Sequence, residues 1–85
     1  MEIEEHIQRY ISENMLFTEG RFDYDNDVSF LQEGILDSVG VMELVGFVES
    51  HFGIRVSPNE VTPEHFDSVN KLAAFVRSKQ SVLQS

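Results

Sequence analysis

The 85-residue chain contains no cysteine and no tryptophan, and it has only two prolines. Without cysteine it can form neither a disulfide nor a thiolate metal site, so its stability must come from a compact apolar core. The hydrophobic fraction of 41% is adequate for one small domain. No apolar run approaches the roughly 20 residues of a membrane-spanning helix, which argues against membrane insertion. The acidic, amphipathic residues 1–6 are unlike a signal peptide, and we therefore expect a cytoplasmic protein.

Positive charge is scarce, with six Lys and Arg against fifteen Asp and Glu and a formal net charge of −9. Residues 22–54 contain no Lys or Arg at all, although several Asp and Glu lie there. Such a field repels nucleic acid and favours protein partners with basic patches. From charge alone, a second interpretation fits the distribution about equally well, namely that the acidic surface only keeps a small protein in solution.

Hydrophobic periodicity predicts a single all-α domain over residues 1–85, with three main helices and one short one. We expect helices at about 2–16, 38–52 and 68–80, a short helix or two single turns at about 58–66, and a long loop at 17–37. The inward face of the second helix should comprise Val41, Leu44, Val45, Val48 and Phe52. A loop this long is usually functional or pinned by its own side chains. The expected pins are Phe22, Phe30, Leu31, Ile35 and Leu36.

Catalytic and metal sites are poorly supported by the residues present. The acidic run from Asp23 to Asp27 resembles the start of a calcium loop, but Val28 and Gly34 stand where that loop needs glycine and glutamate. A solvated acidic loop is the better interpretation. A nucleophilic serine at Ser38 would need a histidine base, and His51 lies about 20 Å away along the same helix. The other histidines, His6 and His65, have no companions at ligand spacing. We therefore expect no catalysis by this chain.

Ser38 differs in its surroundings from other serines of the chain. Both Asp37 and Ser38 are good helix caps, but they cannot both cap the same helix. If Asp37 is the cap, the Ser38 hydroxyl is free in the first turn, where backbone N–H groups and the helix dipole favour an attached phosphate. The same tripeptide recurs at residues 67–69 without a preceding long loop and with Lys71 nearby, and capping alone explains it there.

The second helix also carries apolar residues that its inward face does not use. Val39 and Met42 flank Ser38, and Glu43 and Glu49 add negative charge beside them. An apolar patch with an acidic rim is suited to a basic, partly apolar partner surface. For Phe47, we expect packing under the long loop instead.

Residues 30–45, from Phe30 through the Asp37-Ser38-Val39 run to Val45, resemble the modification site of acyl carrier proteins. The resemblance extends through Phe52-Gly53-Ile54 to residues 66–72, nearly the whole chain. It implies a four-helix bundle in which Ser38 receives 4′-phosphopantetheine covalently from coenzyme A, with Asp37 adjacent as helix cap and recognition residue for the transferase. Acyl groups would then travel as thioesters between enzymes of lipid metabolism, such as fatty acid biosynthesis, or of a specialised pathway.

The same resemblance implies the partners and the oligomeric state. The partners would be a magnesium-dependent phosphopantetheinyl transferase, a loading ligase, and acyltransferases or synthases with basic docking patches. They would contact Val39, Met42, Glu43 and Glu49. The carrier itself would be a monomer that performs no chemistry.

Two residues depart from the fatty-acid carriers. Gly40 stands where those carriers commonly have an acidic residue, and Val39 replaces their usual leucine. The run from Gly34 to Gly40 is similar to stand-alone carriers of D-alanyl and other aminoacyl groups, which ATP-dependent adenylating ligases load. An acyl carrier of a dedicated pathway is our first prediction, and an aminoacyl carrier is the alternative. A housekeeping fatty-acid carrier comes third, and an unmodified acidic adaptor is the remote last. As a hypothesis, the lack of a side chain at Gly40 makes room beside the phosphopantetheine arm that Ser38 would bear.

Overall fold

The computed structural model describes residues 2–16 and 22–84, and all regular structure in these ranges is helical. Four α-helices follow one another: α1 (Ile3–Ile11), α2 (Ser38–Phe52), α3 (Pro63–Phe66) and α4 (Val69–Gln84). A π-helical segment, Ser12–Leu16, continues α1, and a 3₁₀ turn, Pro58–Glu60, precedes α3. The predicted all-α, carrier-like fold is therefore confirmed. Among the described helices, none is long and apolar enough to cross a membrane.

The first helix changes its hydrogen-bonding pattern after Ile11, although periodicity predicts a single helix over 2–16. Two side chains compete there for backbone carbonyls. The Ser12 hydroxyl donates to the carbonyl of Arg9 at 3.0 Å, and the Asn14 amide donates to that of Tyr10 at 3.0 Å. Such local bonds offer the backbone an alternative to the regular i−4 ladder. Residues 17–21, the first part of the predicted loop, lie outside the described residues.

The segment at 58–66, predicted as one short helix or two single turns, forms two separate turns. Pro63 has no N–H to donate, and it disfavours helical geometry at Thr62, which is extended with ψ 160°. The 3₁₀ turn is stabilised by the Ser57 N–H, which donates to the Glu60 carboxylate at 2.8 Å. The last helix continues to Gln84, beyond the predicted end near 80, because residues 81–84 contain neither glycine nor proline.

The apolar core lies where α1, α2 and α4 meet. Its fully buried members include Ile7 and Ile11 from α1, Leu44 and Val48 from α2, and Leu72 from α4. On the predicted inward face of α2, the residues Leu44, Val45 and Val48 are buried, and Val41 and Phe52 are partly buried. The last helix packs against α1 and α2 through a stripe that has no exposed area at all, namely Val69, Leu72, Ala73 and Val76.

The described part of the long loop, residues 22–37, is fixed to the ends of α1 and α4. The Asn26 amide oxygen accepts a hydrogen bond from Gln8 of α1. The Asn26 carbonyl accepts from the backbone N–H of Asn70 at 3.1 Å, and Asp27 accepts from the Asn70 side chain at 2.8 Å. Phe30 donates its backbone N–H to the Asp67 carbonyl at 2.8 Å. These bonds hold the loop in place directly before α2.

Of the five predicted apolar pins, Phe30, Ile35 and Leu36 are buried and Phe22 is partly buried. The prediction for Leu31 is wrong, because its side chain is 51% exposed. The prediction for Phe47 is also wrong. Its ring stacks on Tyr10 of α1 at a centroid distance of 4.1 Å and also contacts the rings of His51 and Phe52, so it packs between α1 and α2 and not under residues 22–37, the described part of the loop.

Ion pairs involve the helix faces far from the start of α2. Arg77 of α4 donates to the Glu4 carboxylate of α1 at 2.7 and 2.8 Å. This hydrogen bonding lowers the pKa of Glu4 and raises that of Arg77. Lys79 lies 2.8 Å from Glu60. These cations are therefore committed to partners on α1 and on the 3₁₀ turn.

Candidate functional site

Asp37 is the N-cap of α2. Its backbone is extended, with φ −107° and ψ −172°, and its carboxylate accepts a hydrogen bond from the Gly40 N–H at 2.8 Å. Its carbonyl accepts from the Val41 N–H at 3.0 Å. Because Asp37 performs the capping, Ser38 becomes the first residue of the helix and its hydroxyl is not needed there.

The Ser38 side chain is exposed, and within the described ranges its hydroxyl has no hydrogen-bond partner. The N–H groups of a helix's first turn lack intrahelical acceptors, and here Asp37 satisfies only that of Gly40. Residues 22–54 contain no Lys or Arg, so within this stretch the positive end of the α2 dipole is what attracts an anion to Ser38. These features fit a phosphate ester at this hydroxyl.

Ser68, in the second copy of the tripeptide, is only 2% exposed. Its hydroxyl accepts a hydrogen bond from the Lys71 N–H at 3.1 Å, so it caps the start of α4. A buried, hydrogen-bonded hydroxyl offers no room for a large substituent. The expectation that capping explains this copy agrees with its geometry.

An apolar patch surrounds Ser38. Val39 is 67% exposed and Met42 is 60% exposed, and the exposed Leu31 joins them from the preceding loop. The sequence did not predict that Leu31 is exposed. The loop between Ser29 and Gly34 has no hydrophobic period that distinguishes inward from outward residues. The patch thus combines one side chain from the loop with two from α2.

The two predicted acidic partner residues lie in different settings. Glu43 is exposed and lines a groove of about 450 Å³ together with Val39 and Asp37. The pKa of Tyr10 is raised mainly by burial and also by the negative charge of Glu43. Glu49 lies about 16 Å along the helix from Ser38, and its carboxylate accepts from the Val56 N–H at 2.9 Å. The structure therefore places Val39 and Met42 next to Ser38 and Glu43 beside Val39, whereas Glu49 lies apart from all three.

A second groove, of about 410 Å³, opens on the other side of Ser38, between α2 and α3. Its lining is mainly apolar and includes Met42, Val61 and Phe66, with Asp67 at the end of α3. No local sequence pattern indicates this groove, because its walls come from residues 31–42 and residues 61–67, which are 19 or more positions apart.

The structure does not support the hypothesis that Gly40 makes room beside the arm. A Cβ atom at Gly40 would lie 3.2 Å from the Leu36 side chain and 3.5 Å from the Asp37 carboxylate. The absence of a side chain at Gly40 therefore leaves space for Leu36 and Asp37, where the long loop joins α2.

The remaining candidate sites contain few ligating groups. His6 and His51, far apart in sequence, meet across α1 and α2, with 3.0 Å between Nδ1 of His6 and Nε2 of His51. In the acidic loop, Asp25 accepts from the Asp27 N–H at 3.2 Å. Within residues 2–16 and 22–84, no group of three or more His, Cys, Asp or Glu side chains is arranged to hold a metal ion.

Comparison with known proteins identifies the family. The family profile described as phosphopantetheine attachment site matches residues 3–76. The D-alanyl carrier protein of Abiotrophia defectiva is 36% identical over 59 residues, which cover 69% of this chain and 75% of the relative. That of Lactococcus lactis subsp. lactis is 37% identical with the same coverage.

Among solved structures, a chain in the crystal structure of an FAD-dependent dehydrogenase is 33% identical and superposes with a TM-score of 0.68. The match covers 81% of this chain and 96% of that chain. Fold, profile and relatives agree: the chain belongs to the phosphopantetheine attachment-site family, the carrier proteins that bear covalently bound 4′-phosphopantetheine.

Proposed function

We propose that Ser38 is the residue that bears 4′-phosphopantetheine, and that the chain carries thioester-linked groups between enzymes. The observation that supports this most strongly is the exposed, unpartnered hydroxyl of Ser38 in the first turn of α2. The matched serine of the second tripeptide, Ser68, is buried and used as a cap, so it is not accessible to a transferase.

The attachment step is a phosphoryl-type transfer from coenzyme A. The Ser38 oxygen attacks the phosphorus that bears pantetheine, a new P–O bond forms, and the bond to adenosine 3′,5′-bisphosphate breaks. The hydroxyl proton leaves to a base on the transferase. Asp37 holds the first turn in place through Gly40, and the N–H groups of Ser38 and Val39 favour the resulting phosphodiester. When bound, the arm supplies the thiol that this cysteine-free chain lacks.

The patch formed by Leu31, Val39 and Met42 is the proposed contact surface for partner enzymes. It is exposed and apolar, and Asp37 and Glu43 add negative charge at its edge. A partner surface with a basic rim and an apolar centre would complement it. The transferase and a loading ligase both need access to Ser38 and would use this patch in turn.

For the cargo, the relatives favour the aminoacyl alternative over our first prediction of an acyl group. The relatives in Abiotrophia defectiva and Lactococcus lactis are named D-alanyl carrier proteins, and neither name supports a role in fatty acid biosynthesis.

The matched chain in the dehydrogenase structure is about as small as this one, since the match covers nearly all of it. A flavin-dependent dehydrogenase is therefore a candidate partner that would oxidise tethered cargo.

Intact mass spectrometry tests the attachment residue. The protein is incubated with coenzyme A, magnesium and a broad-specificity phosphopantetheinyl transferase, and we expect a gain of about 340 Da. Ser38→Ala should abolish the gain, whereas the matched variant Ser68→Ala should retain it. Modification of Ser38→Ala, or no modification of the unaltered chain, would contradict the proposal.

The cargo is tested with the modified protein. A D-alanine-adenylating ligase with D-alanine and ATP should add a further mass of about 71 Da, with release of AMP and pyrophosphate, and hydroxylamine should remove it because the linkage is a thioester. The unmodified chain is the control and should gain nothing. Loading by a fatty acyl ligase but not by the D-alanine ligase would favour the acyl prediction instead.

A further inference from the structure

The two histidines that meet across α1 and α2 form a contact that the proposed attachment site does not use. Nδ1 of His6 and Nε2 of His51 lie 3.0 Å apart, although the two residues are 45 positions apart in the sequence. The ring centroids are 4.8 Å apart, which is closer than a straight N–H···N bond of this length would place them. The hydrogen bond is therefore bent, and bending weakens a hydrogen bond.

Aromatic neighbours fix the orientation of both imidazole rings. Phe47 stacks on His51 at a centroid distance of 4.9 Å and an interplanar angle of 21°. Phe52 meets the His51 ring edge-on at 4.9 Å and the His6 ring edge-on at 6.1 Å. Because all four rings belong to α1 or α2, the two nitrogens are held close together before any ligand binds. Packing that locks ligating side chains in this way reduces the free energy lost in ordering them.

The distance between the two nitrogens selects a coordination geometry. Imidazole nitrogens bind divalent transition metals at about 2.1 Å. Two such bonds from nitrogens 3.0 Å apart enclose about 90° at the ion, whereas a tetrahedral ion needs about 3.4 Å between the nitrogens. Ligands at right angles are typical of the square-planar or tetragonal complexes of Cu²⁺ and Ni²⁺. Because Cu²⁺ is also the most tightly bound of the divalent first-row metals, it is the best-matched ion.

The surroundings of the pair admit an ion and its other ligands. His6 is partly buried and His51 is exposed, and both line an open groove of about 540 Å³ at the C-terminal end of α2. The charged residues that line this groove are Glu2 and Arg77. The Arg77 guanidinium is paired with Glu4 at 2.7 Å and with Glu2 at 3.4 Å, so two negative charges offset its repulsion of a cation.

We propose that His6 and His51 form a binding site for a divalent transition metal, with Cu²⁺ as the preferred ion, which joins α1 to α2. Nδ1 of His6 and Nε2 of His51 are the two protein ligands, and water completes the coordination. Both rings bind as neutral imidazoles, so the hydrogen carried by one facing nitrogen moves to the other nitrogen of the same ring.

The proposed metal site is exchangeable and separate from Ser38. Within residues 2–16 and 22–84, no third side chain of ligating type completes the set, so the site differs from four-coordinate structural metal centres. His51 lies about 20 Å along α2 from Ser38. Metal binding and phosphopantetheine attachment can therefore be measured independently of each other.

Pulsed EPR of the unmodified 85-residue chain with one equivalent of Cu²⁺ tests the site. This chain has no cysteine, so no thiolate competes for the ion. Electron spin-echo modulation from the remote imidazole nitrogens counts the coordinated histidines, and we expect two. The variants His6→Gln and His51→Gln should each leave at most one and should weaken Cu²⁺ binding at least tenfold. A count of one or none in the unaltered chain would overturn the inference.

His65→Gln is the matched control. His65 is the third histidine of the chain, and its ring packs on Phe75 at a centroid distance of 4.7 Å, away from the pair. This variant should leave both the histidine count and the Cu²⁺ affinity unchanged. If it weakened binding as much as His51→Gln does, the ion would be bound without the proposed pair and the inference would be wrong.

Paramagnetic broadening in the unaltered, ¹⁵N-labelled chain covers the case in which a histidine variant does not fold. Substoichiometric Cu²⁺ should broaden the amide signals around His6 and His51 first, and EDTA should restore them. Broadening centred on the acidic loop from Asp23 to Asp27 would overturn the inference. The mass gain at Ser38 is a separate measurement, so failure of the metal site would leave the proposed function intact, and the reverse also holds.

Discussion

The tripeptide Asp-Ser-Val occurs twice in the chain, at Asp37–Val39 and at Asp67–Val69, and the two copies have opposite roles. In the first, aspartate caps the helix and the serine and valine are exposed. In the second, serine caps the helix and both it and the valine are buried. The same three side chains thus present a reactive hydroxyl in one place and complete the core in the other.

The difference arises from what precedes each copy. Asp37 follows a loop and has the extended backbone that an N-cap requires. Asp67 ends α3 with ψ 0°, a geometry that does not permit it to cap the next helix. Capping therefore passes to Ser68, and α4 begins one residue later in the tripeptide than α2 does.

A shift of one residue rotates a helix by about 100°, which moves each side chain to a different face. The shift turns Val69 into the core and frees the Asp67 carboxylate to bind the loop that positions Ser38. The second copy therefore holds the first in place.

The largest expected effect separates the two aspartates. Asp67→Ala removes the acceptor for Ser29 and Leu31, and hydrogen bonds to a charged group contribute about 1.5–3 kcal/mol each. We expect the free energy of unfolding to fall by about 3 kcal/mol, against about 1 kcal/mol for the exposed cap in Asp37→Ala. Urea unfolding of the unmodified proteins measures both. Equal losses would show that Asp67 does not fix the loop.

Substitution of the two valines should give a somewhat smaller difference in the free energy of unfolding. Val69→Ala removes two methyl groups from a site with no exposed area, which we expect to cost about 2 kcal/mol. Val39→Ala changes a largely exposed side chain and should alter stability by less than about 0.5 kcal/mol. Its effect should appear instead in the KM of the transferase for the carrier. A stability loss in Val39→Ala equal to that in Val69→Ala would contradict the assigned burial.

The serines should show a smaller difference in stability and a complete difference in modification. Ser68→Ala loses the α4 cap and should lower the free energy of unfolding by about 1 kcal/mol. Ser38→Ala removes a hydroxyl without a partner, so thermal unfolding of the unmodified protein should be unchanged. If Ser38→Ala were the more destabilised variant, the hydroxyl would have a structural role that these contacts do not show.

Sequence patterns were sufficient for features that depend on near neighbours. The α2 start follows from Asp37 as a local cap, and the buried stripe of α4 follows from its helical period. The Asp67 contacts join residues 36 and 38 positions apart, and no local pattern indicates them. The exposure of Leu31 depends on the same contacts. What could not be predicted was therefore the tertiary part of the site, including the groove beside Ser38.

The smallest expected effect concerns two glycines of α2 that differ in their surroundings. A Cβ at Gly46 would meet nothing within 4 Å, so Gly46→Ala should raise the free energy of unfolding by about 0.5–1 kcal/mol through reduced backbone freedom in the unfolded chain. A Cβ at Gly40 would lie 3.2 Å from the buried Leu36, and it would press on the residue before the Asp37 cap. Gly40→Ala should therefore gain less than Gly46→Ala or lose stability. Thermal unfolding resolves this difference, since about 1 kcal/mol corresponds to about 4–8 °C in a domain of this size. An equal gain from both substitutions would show that Leu36 yields freely, and that the first copy of the tripeptide is less tightly held than its contacts indicate.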